Sequence, residues 1–336
     1  MKTNSLIHIK KILPIIGIAI FLYIVSDIGL NEIISTFSKI SLFHIILLFL
    51  VAILATLFQN VQWQLILKKQ KIKISFFESL KALFISDFYK SVSPAFIGTW
   101  MKVPYLKEET DEPYGKLFIN CLFLSTIATL AFLLFLIIGA FFSISKIPIA
   151  FPIAVIWAAV VIAIMIFFIK KERGEKGLYL LIKLFAPKKL KPTFKKFVET
   201  FYKDFLSLKD LTIPFIMGFI GMIYYFSMIY IIALALDINI PYFTFIMVYP
   251  IITAVSFLPI SPGSIGIREL TAVYILSIYG VGMAEAVVLS LSSFLLLGGP
   301  SIIIGFIFSI GWLSKSRKEK IKSFSIEKLS TVSYKP

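Results

Sequence analysis

The sequence predicts an all-α membrane protein that crosses the bilayer several times, built as a single transmembrane domain over residues 1–336. Hydrophobic residues make up 59% of the chain and charged residues only 15%, and the mean hydropathy is +0.94. Soluble globular proteins do not have this composition. Several apolar runs reach the roughly 20 residues that a helix needs to span the hydrocarbon core, and the alternation typical of membrane β-strands is missing. We expect about six full spans plus two broken, re-entrant helix pairs.

Six apolar runs are long enough to be full spans. They cover residues 12–25, 42–67, 117–142, 153–169, 211–236 and 283–313. The first run follows Lys10 and Lys11, but no small-residue cleavage site comes after it, so we expect a retained span rather than a signal peptide. The last run is interrupted by the sequence Gly-Gly-Pro at residues 298–300, where a proline removes a helical hydrogen bond.

Four amide side chains lie within six residues near the end of the second span. They are Gln59, Asn60, Gln62 and Gln64. Amide groups are poorly accommodated by lipid, so we expect this end of the span to face protein, a cavity or the membrane interface. Four lysines between residues 68 and 73 follow, and they mark the same end as cytoplasmic.

Two further apolar segments contain residues that break helices. The segment 76–106 includes Ser93, Pro94 and Gly98, and the segment 242–279 includes Pro259, Ser261, Pro262, Gly263 and Gly266. Prolines lack a backbone donor, and glycines reach backbone angles that other residues avoid. Non-helical backbone at membrane depth survives only where protein or a water-filled cavity satisfies it. Each segment therefore predicts either a re-entrant helix pair or two short crossings.

Residues 256–270 are the stretch around which we expect the chain to be organised. Arg268 and Glu269 are adjacent here, and charges at membrane depth are costly and mark functional sites. We expect one helix to arrive from about Tyr242 and end in this stretch, and another to begin near Ile267. The alternative is a tight cytoplasmic turn between two spans, with Arg268 at the membrane interface.

The distribution of basic residues predicts the orientation. Of 34 lysines and arginines, 31 fall in the N-terminus, in residues 68–73, 81–116 and 170–209, and in the tail. Cytoplasmic segments collect basic residues, so we expect both termini and the loop 170–210 in the cytoplasm, and the protein in the plasma membrane. The same distribution explains the net charge of +16 without nucleic acid. We expect membrane lipids as partners, and the short basic tail 314–336 to lie inside.

The basic loop contains an amphipathic segment over residues 193–208. Its apolar face has helical spacing and includes Phe194, Phe197, Phe201 and Phe205. A basic amphipathic helix commonly lies on an anionic leaflet with its apolar side in the lipid. We therefore predict that these phenylalanines lie at the membrane surface.

The sequence offers no convincing metal or cofactor site. Cys121 is the only cysteine, which excludes a disulfide or a cysteine-based metal site within one chain, and the two histidines are isolated. The acidic residues at 108–112 could hold Mg²⁺. A helix start, with Asp111 as N-cap and Pro113 in the first turn, explains them better. We expect no metal and no cofactor.

The two broken segments share a short motif. Ser93-Pro94-Ala95-Phe96-Ile97-Gly98 matches Ser261-Pro262-Gly263-Ser264-Ile265-Gly266 at four of six positions, with an offset of 168 residues, half the chain. Each copy lies between long spans, and the charge-derived topology gives the halves 42–143 and 211–313 opposite orientations. This predicts an inverted repeat, in which broken helices at corresponding positions form a transport site near the midplane.

At these motifs the chain resembles the lysylphosphatidylglycerol synthase transmembrane (flippase-like) family of integral membrane proteins, and the resemblance extends over essentially the whole chain. Its later element, P-x-x-P-G-G-x-G-x-x-E, ends here in Gly266 and Glu269, with Ser264 in place of the second glycine. Its earlier element has an acidic residue and an arginine where this chain has Thr99 and Lys102. Members that transfer amino acids carry an additional soluble catalytic domain, which we expect to be missing here.

The resemblance implies lipid translocation. A flippase-like protein would move an anionic or modified phospholipid, or a polyprenyl-phosphate-linked lipid. Arg268 and Lys102 would then meet the phosphate, with added N–H groups from helix starts near Ile267 and Thr99. Glu269 would pair with a basic group or carry a coupling proton. We expect no enzymatic activity, since no nucleophile elbow or phosphate loop is found. A membrane glycosyltransferase or lipid-modifying enzyme, or a non-transporting scaffold, remain the alternatives.

Single cysteines at positions 2, 189 and 333, in a Cys121→Ser background, test the predicted orientation. All three should resist impermeant thiol reagents in intact cells, because the basic segments that contain them stay inside. The measurement is labelling before and after permeabilisation. Labelling of Lys189→Cys from outside would contradict both the orientation and the inverted repeat.

Overall fold

The computed structural model describes residues 19–185, 191–257 and 264–314, except for the side chains of residues 94–97, 181–185 and 191–194. The helices are α1 (Ala19–Ile28), α2 (Leu30–Phe37), α3 (Leu42–Lys69), α4 (Phe76–Val92), α5 (Lys102–Glu109), α6 (Tyr114–Phe142), α7 (Ala150–Ile169), α8 (Lys171–Phe185), α9 (Lys191–Lys203), α10 (Leu208–Ala235), α11 (Tyr242–Ala254), α12 (Ile267–Ser277) and α13 (Met283–Ser314). No β-strand occurs in the described ranges. The prediction of an all-α polytopic membrane protein is confirmed.

Five of these helices, α3, α6, α7, α10 and α13, are long and apolar enough to cross a membrane alone. The sixth predicted span is described only from residue 19 onward, as α1, which bends by 84° into α2. The bend lies at Gly29, whose φ is +92°, in a region that side chains disfavour. The amphipathic α2 then packs on the start of α13, next to an ion pair between Lys39 and Glu285.

Buried apolar side chains form two cores at opposite ends of the bundle. The first core contains the start of α3, the ends of α6 and α10, the helices α11 and α12, and the start of α13. The second core contains the end of α3, the helices α4, α5 and α9, the start of α6, and Trp312 near the end of α13. Helices α3, α6 and α13 therefore connect one core to the other, and α10 reaches the second core through Leu211 and Phe215, which pack against it.

Contacts along the long helices fix their relative directions. Helix α10 runs antiparallel to α3, because Tyr224 donates to the carbonyl of Val51 and Gln62 donates to the carbonyl of Pro214. The cores give the other directions: α13 runs parallel to α3, and α6 runs parallel to α10. The helices that the repeat pairs, α3 with α10 and α6 with α13, thus run in opposite directions. An inverted repeat requires these directions; the repeat itself stays a prediction.

Two hairpins enter the bundle from opposite ends. The first consists of α4, a 3₁₀ helix over Pro94–Met101, and α5. Its open end lies in the second core, where Tyr105 hydrogen-bonds to Glu78. The second consists of α11, a 3₁₀ turn at Val255–Phe257, and α12, and it opens toward the first core. Each hairpin returns to the end from which it started, so both segments re-enter the bundle rather than cross it.

The break in the first hairpin follows from its sequence. Ser93 is extended, with φ −102° and ψ 145°, as a residue before proline prefers. Its hydroxyl accepts a 2.7 Å hydrogen bond from the Gly98 backbone, which closes the tip. A Cβ atom at Gly98 would lie 2.1 Å from the Tyr89 carbonyl group, so only glycine allows the two arms to approach this closely.

The break in the second hairpin lies where the glycine and proline pattern predicts it. Helix α11 begins at Tyr242 and α12 begins at Ile267, as expected. Pro259, Ser261, Pro262 and Gly263 lie outside the described residues. After these residues, Ser264 has φ 58° and Gly266 has φ 90°. The Ser264 hydroxyl donates to the carbonyl of Ser256 at 2.9 Å.

Each hairpin packs against the last long helix of the other half. A Cβ atom at Gly305 of α13 would lie 2.0 Å from the carbonyl oxygen of Phe84 in the first hairpin. A Cβ atom at Gly139 of α6 would lie 1.9 Å from the carbonyl oxygen of Met247 in the second hairpin. These two glycines place helix backbone directly on helix backbone, and they make the halves interdependent.

Helix α13 corrects one expectation. It is not broken at residues 298–300 but continues to Ser314, with a π-helical segment at Ser293–Gly298. Pro300 cannot donate to the carbonyl four residues earlier, and the wider π turn that precedes it accommodates the lost bond within a continuous helix.

The predicted N-cap of α6 is also wrong. The N-cap is Pro113, without a side-chain hydrogen bond, and Asp111 lies in the preceding irregular segment. The amides of α3 face protein as expected: Asn60 donates to the carbonyl of Phe76, and Gln64 donates to Ser79.

The amphipathic helix α9 differs most from its prediction. Its apolar face does not lie in lipid: Phe201 is 4% exposed and belongs to the second core. Phe197 and Phe201 pack against Phe118 of α6, and Phe205 packs against Phe123. The start of α6 offers an apolar protein surface at this end of the bundle, and α9 covers it. The side chain of Phe194 lies outside the described residues.

We expect Gly305→Ala to lower the melting temperature of the detergent-solubilised protein, because the added methyl group overlaps the Phe84 carbonyl. Overpacking of this kind costs about 1–3 kcal/mol. The matched control is Gly299→Ala in the same helix, where no atom lies within 4 Å of the new Cβ; alanine should be neutral or slightly stabilising there. Equal melting temperatures for the two variants would contradict the close contact of α4 with α13.

Candidate functional site

Arg268 and Glu269 form a buried ion pair at the tip of the second hairpin. The Arg268 Nη2 lies 2.8 Å and its Nε 3.1 Å from the Glu269 Oε1. Ser290 of α13 completes the cluster: its hydroxyl accepts from Arg268 Nε and donates to Glu269 Oε1, both at 2.9 Å. Glu269 is 0% exposed. The predicted pairing of Glu269 with a basic group is therefore present, and the partner is its own neighbour.

Glu269 also shapes the backbone of the tip. As the third residue of α12 it accepts a 2.6 Å hydrogen bond from the Gly266 N–H through Oε2, which is the carboxylate half of a capping box. Glu269 thus receives donors from the loop, from Arg268 and from α13. These donors hold the carboxylate in place, so its first role is structural.

The guanidinium of Arg268 retains binding capacity. Among the described residues no acceptor contacts its Nη1, and its planar face lies 5.1 Å from the ring centroid of Phe294. Phe294 belongs to the π segment of α13, and such segments often occur at functional sites. The hydroxyl of Ser292, next to this segment, is buried without a partner in the described structure. Donors of this kind suit a phosphate.

Lys102 lies at the start of α5, where the first hairpin meets α3. Its side chain is buried, with 4% of the residue exposed. Its Nζ lies 5.9 Å from the ring centroid of Trp63, within cation–π range. Within the described ranges this ammonium has no hydrogen bond or ion pair. A buried cation without a counter-ion is costly, so it is a strong candidate for an anion contact.

A chain of buried polar groups supports Trp63. Its indole donates to Asn120, Asn120 donates to Gln70, and Gln70 donates to the carbonyl of Asp204, each at 2.7 Å. This chain connects α3 and α6 to the segment after α9. It fixes the aromatic face over which Lys102 lies.

Thr99 has a backbone role in the described contacts. Its carbonyl accepts a 2.9 Å hydrogen bond from the Ser86 hydroxyl, which ties the two arms of the first hairpin. The sequence predicted a helix start near Thr99. In the structure Thr99 lies inside the 3₁₀ helix, and the α-helix α5 starts three residues later, at Lys102.

The structure does not bring Arg268 and Lys102 into one cluster. The residues that follow Arg268 on α12 belong to the first core, and those that follow Lys102 on α5 belong to the second. Their contacts in the described chain have no residue in common. The candidate site is therefore two half-sites, one at each hairpin, rather than one pocket with both cations around one phosphate.

Sequence reasoning missed Asp87. It lies on α4 across the first hairpin from Lys102, and each residue contributes to the electrostatic environment of the other. The sequence contains a signal for this residue, because Asp87 interrupts the apolar run from Ala82 to Tyr89. A carboxylate at membrane depth is by itself a candidate site residue.

Helices α8 and α9 pack against the end of the bundle that contains the second core. The Tyr202 hydroxyl donates to the carbonyl of Phe168 at 3.0 Å. Burial, with a smaller contribution from the Glu175 carboxylate, raises the pKa of Tyr202 to about 12. The hydroxyl is therefore a neutral donor at physiological pH, and it holds α9 against the end of α7.

Comparisons with known proteins agree with the predicted resemblance. The family model described as lysylphosphatidylglycerol synthase TM region matches residues 12–305. A UPF0104 membrane protein of Pyrococcus horikoshii is 23% identical over 300 residues, which cover 83% of this chain and 90% of that protein. Both half-sites fall within the matched residues.

Glu269→Gln should destabilise the protein strongly, because it leaves Arg268 buried without its counter-charge. Breaking a buried pair costs about 3–5 kcal/mol. Glu285→Gln is the matched control, since its ion pair with Lys39 is partly exposed and should contribute less than about 1 kcal/mol. Thermal unfolding in detergent measures both, and a control loss as large as that of Glu269→Gln would contradict the structural role of the buried pair.

Proposed function

Because the chain belongs to the lysylphosphatidylglycerol synthase TM region family, we propose that it moves a lipid with an anionic headgroup across the membrane. The substrate class is an anionic or modified phospholipid, or a polyprenyl-phosphate-linked lipid. The observation that supports this most is the pair of re-entrant hairpins, which enter from opposite ends and each carry a buried cation next to the break.

The two half-sites suit a headgroup that passes between the ends of the bundle. Interrupted helices at membrane depth let backbone and side-chain donors reach a polar headgroup while the acyl chains stay in lipid. Arg268 offers the planar fork that matches phosphate oxygens, and Lys102 offers a compact charge. Since the two cations lie in different clusters, a phosphate would contact them in sequence.

The orientation belongs to the same proposal. Both termini and helices α8 and α9 lie in the cytoplasm, and the protein lies in the plasma membrane, so the first hairpin opens inward and the second outward. Among the described residues, the exposed lysines of α9 include Lys195, Lys196 and Lys203. These charges suit the anionic cytoplasmic leaflet.

The expectation that the chain is not an enzyme stays a prediction. The alternatives are a membrane glycosyltransferase, another lipid-modifying enzyme, or a scaffold without transport. Mass analysis of the lipid recovered from the transport assay distinguishes modification from translocation, because a transporter returns its substrate with unchanged mass.

Arg268→Lys should slow lipid translocation about 10- to 100-fold, the loss expected when one or two charge-assisted hydrogen bonds disappear. Gly266→Leu should abolish it, because φ at this position is 90° and a side chain there is strained. The assay is dithionite quenching of fluorescent-tailed phosphatidylglycerol in liposomes that contain the purified protein.

The control for these variants is Lys146→Ala. Lys146 lies over the ring of Tyr279 at 4.0 Å, near the open end of the second hairpin and away from both half-sites. This variant should translocate at the wild-type rate. Wild-type rates for Arg268→Lys at matched protein levels would contradict a role of Arg268 in headgroup contact.

A further inference from the structure

The first hairpin holds a carboxylate and an ammonium group that face each other without forming an ion pair. Asp87 lies on α4 and Lys102 on α5. The two side chains are close enough to interact electrostatically, but no oxygen of Asp87 lies within 4.0 Å of the Lys102 Nζ. In the parts of the chain that the structure describes, neither group has a hydrogen-bond partner.

Contacts between the two arms of the hairpin fix the backbone positions of Asp87 and Lys102. The hydroxyl of Ser86 is bonded to the carbonyl of Thr99 at 2.9 Å, and Gly98 lies directly on the backbone of Tyr89. These contacts fix the spacing of the arms on both sides of Asp87. The backbone spacing between the positions of Asp87 and Lys102 is therefore set by the fold.

Few other charges face Asp87. Lys90 lies one turn further along α4 and is exposed, and Lys102 comes from α5. From α6, the Cys121 thiol faces Lys102. Against this hairpin α13 places the aromatic side chains of Phe306 and Phe308, and α3 places Trp63 and the uncharged amides of Asn60 and Gln64. Burial, Lys90 and Lys102 therefore set the electrostatic environment of Asp87, and Lys102 is the buried one of the two cations.

A phosphate at Lys102 would change this balance. With the site empty, the ammonium of Lys102 partly compensates the carboxylate of Asp87. A bound phosphate neutralises the ammonium and places a second negative charge beside Asp87. In a poorly hydrated site, a carboxylate next to a like charge takes up a proton rather than remain ionised.

We propose that Asp87 takes up one proton when the phosphate of the lipid binds Lys102, so that lipid and proton bind and leave together. The proposal rests on the proposed function, because it requires a lipid phosphate at Lys102. The Asp87 carboxylate gains the proton from water on the side to which the hairpin opens, and it returns the proton when the phosphate leaves. A proton gradient can then drive the lipid in one direction.

Proton uptake on lipid binding is the direct test. Short-chain phosphatidylglycerol is titrated into the purified protein in weakly buffered detergent solution. A pH-sensitive dye reports proton uptake, and tryptophan emission reports lipid binding in parallel. The wild type should take up close to one proton per lipid bound. Asp87→Asn should bind the lipid without proton uptake. Asp27→Asn, which changes an exposed aspartate of α1, is the matched control and should behave as the wild type.

Because lipid binding and proton uptake are coupled in this proposal, the affinity for the lipid should depend on pH. Wild-type binding should tighten as the pH falls, by up to about tenfold per pH unit, which is the limit for one linked proton. Asp87→Asn mimics the protonated group and should bind tightly at every pH, within about twofold. Lys102→Gln should lose both binding and proton uptake.

The outcomes separate this proposal from the proposed function. If the wild type binds or translocates the lipid without proton uptake, the coupling is wrong but the proposed translocation is not affected. An unchanged pH dependence of binding in Asp87→Asn has the same meaning. Absence of binding and translocation for every phosphate lipid overturns the proposed function itself. Equal proton uptake with inorganic phosphate would reassign the site to free phosphate. If Asp87→Asn does not elute as a monodisperse species, wild-type proton uptake decides alone.

Discussion

The carboxylate of Glu269 is the interaction on which the rest of the second hairpin depends. It joins the loop backbone at Gly266, the guanidinium of Arg268 and the hydroxyl of Ser290 on α13. Without these contacts, the Gly266 N–H and a guanidinium would be buried unsatisfied in the bundle, which is costly in an apolar environment. The cluster therefore allows a chain break at membrane depth and positions Arg268 at the same time.

Close backbone packing links the two halves of the chain. Gly305 brings the first hairpin onto α13, and Gly139 brings the second hairpin onto α6. Since α13 carries Ser290 and the π segment, the position of the first hairpin on α13 is mechanically connected to the second half-site. A shift of either hairpin must repack the long helix of the other half, and small shifts in packed interfaces tend to occur between discrete arrangements.

The two half-sites differ in their electrostatics, and the proposed transport gives them different parts. Arg268 is paired with Glu269 and offers oriented donors with little net charge, whereas Lys102 is buried with its nearest counter-charge, Asp87, beyond ion-pair distance. The first half-site is therefore the one whose charge a bound anion changes most. The motif carboxylate, Glu269, is structural, and in the proposed mechanism the carboxylate that responds to the ligand is Asp87, outside the motif.

The sequence by itself determined the class of protein, the long helices and the two breaks, because these depend on the length of apolar runs and on proline and glycine, which act locally. It also placed Arg268 and Glu269 together, since they are neighbours. Only the tertiary structure decided that the broken segments re-enter, that α9 buries Phe201 against α6, and that Lys102 faces Asp87 but not Arg268. These outcomes depend on which helix surfaces meet over long sequence separations, and hydropathy does not distinguish an apolar face that meets protein from one that meets lipid.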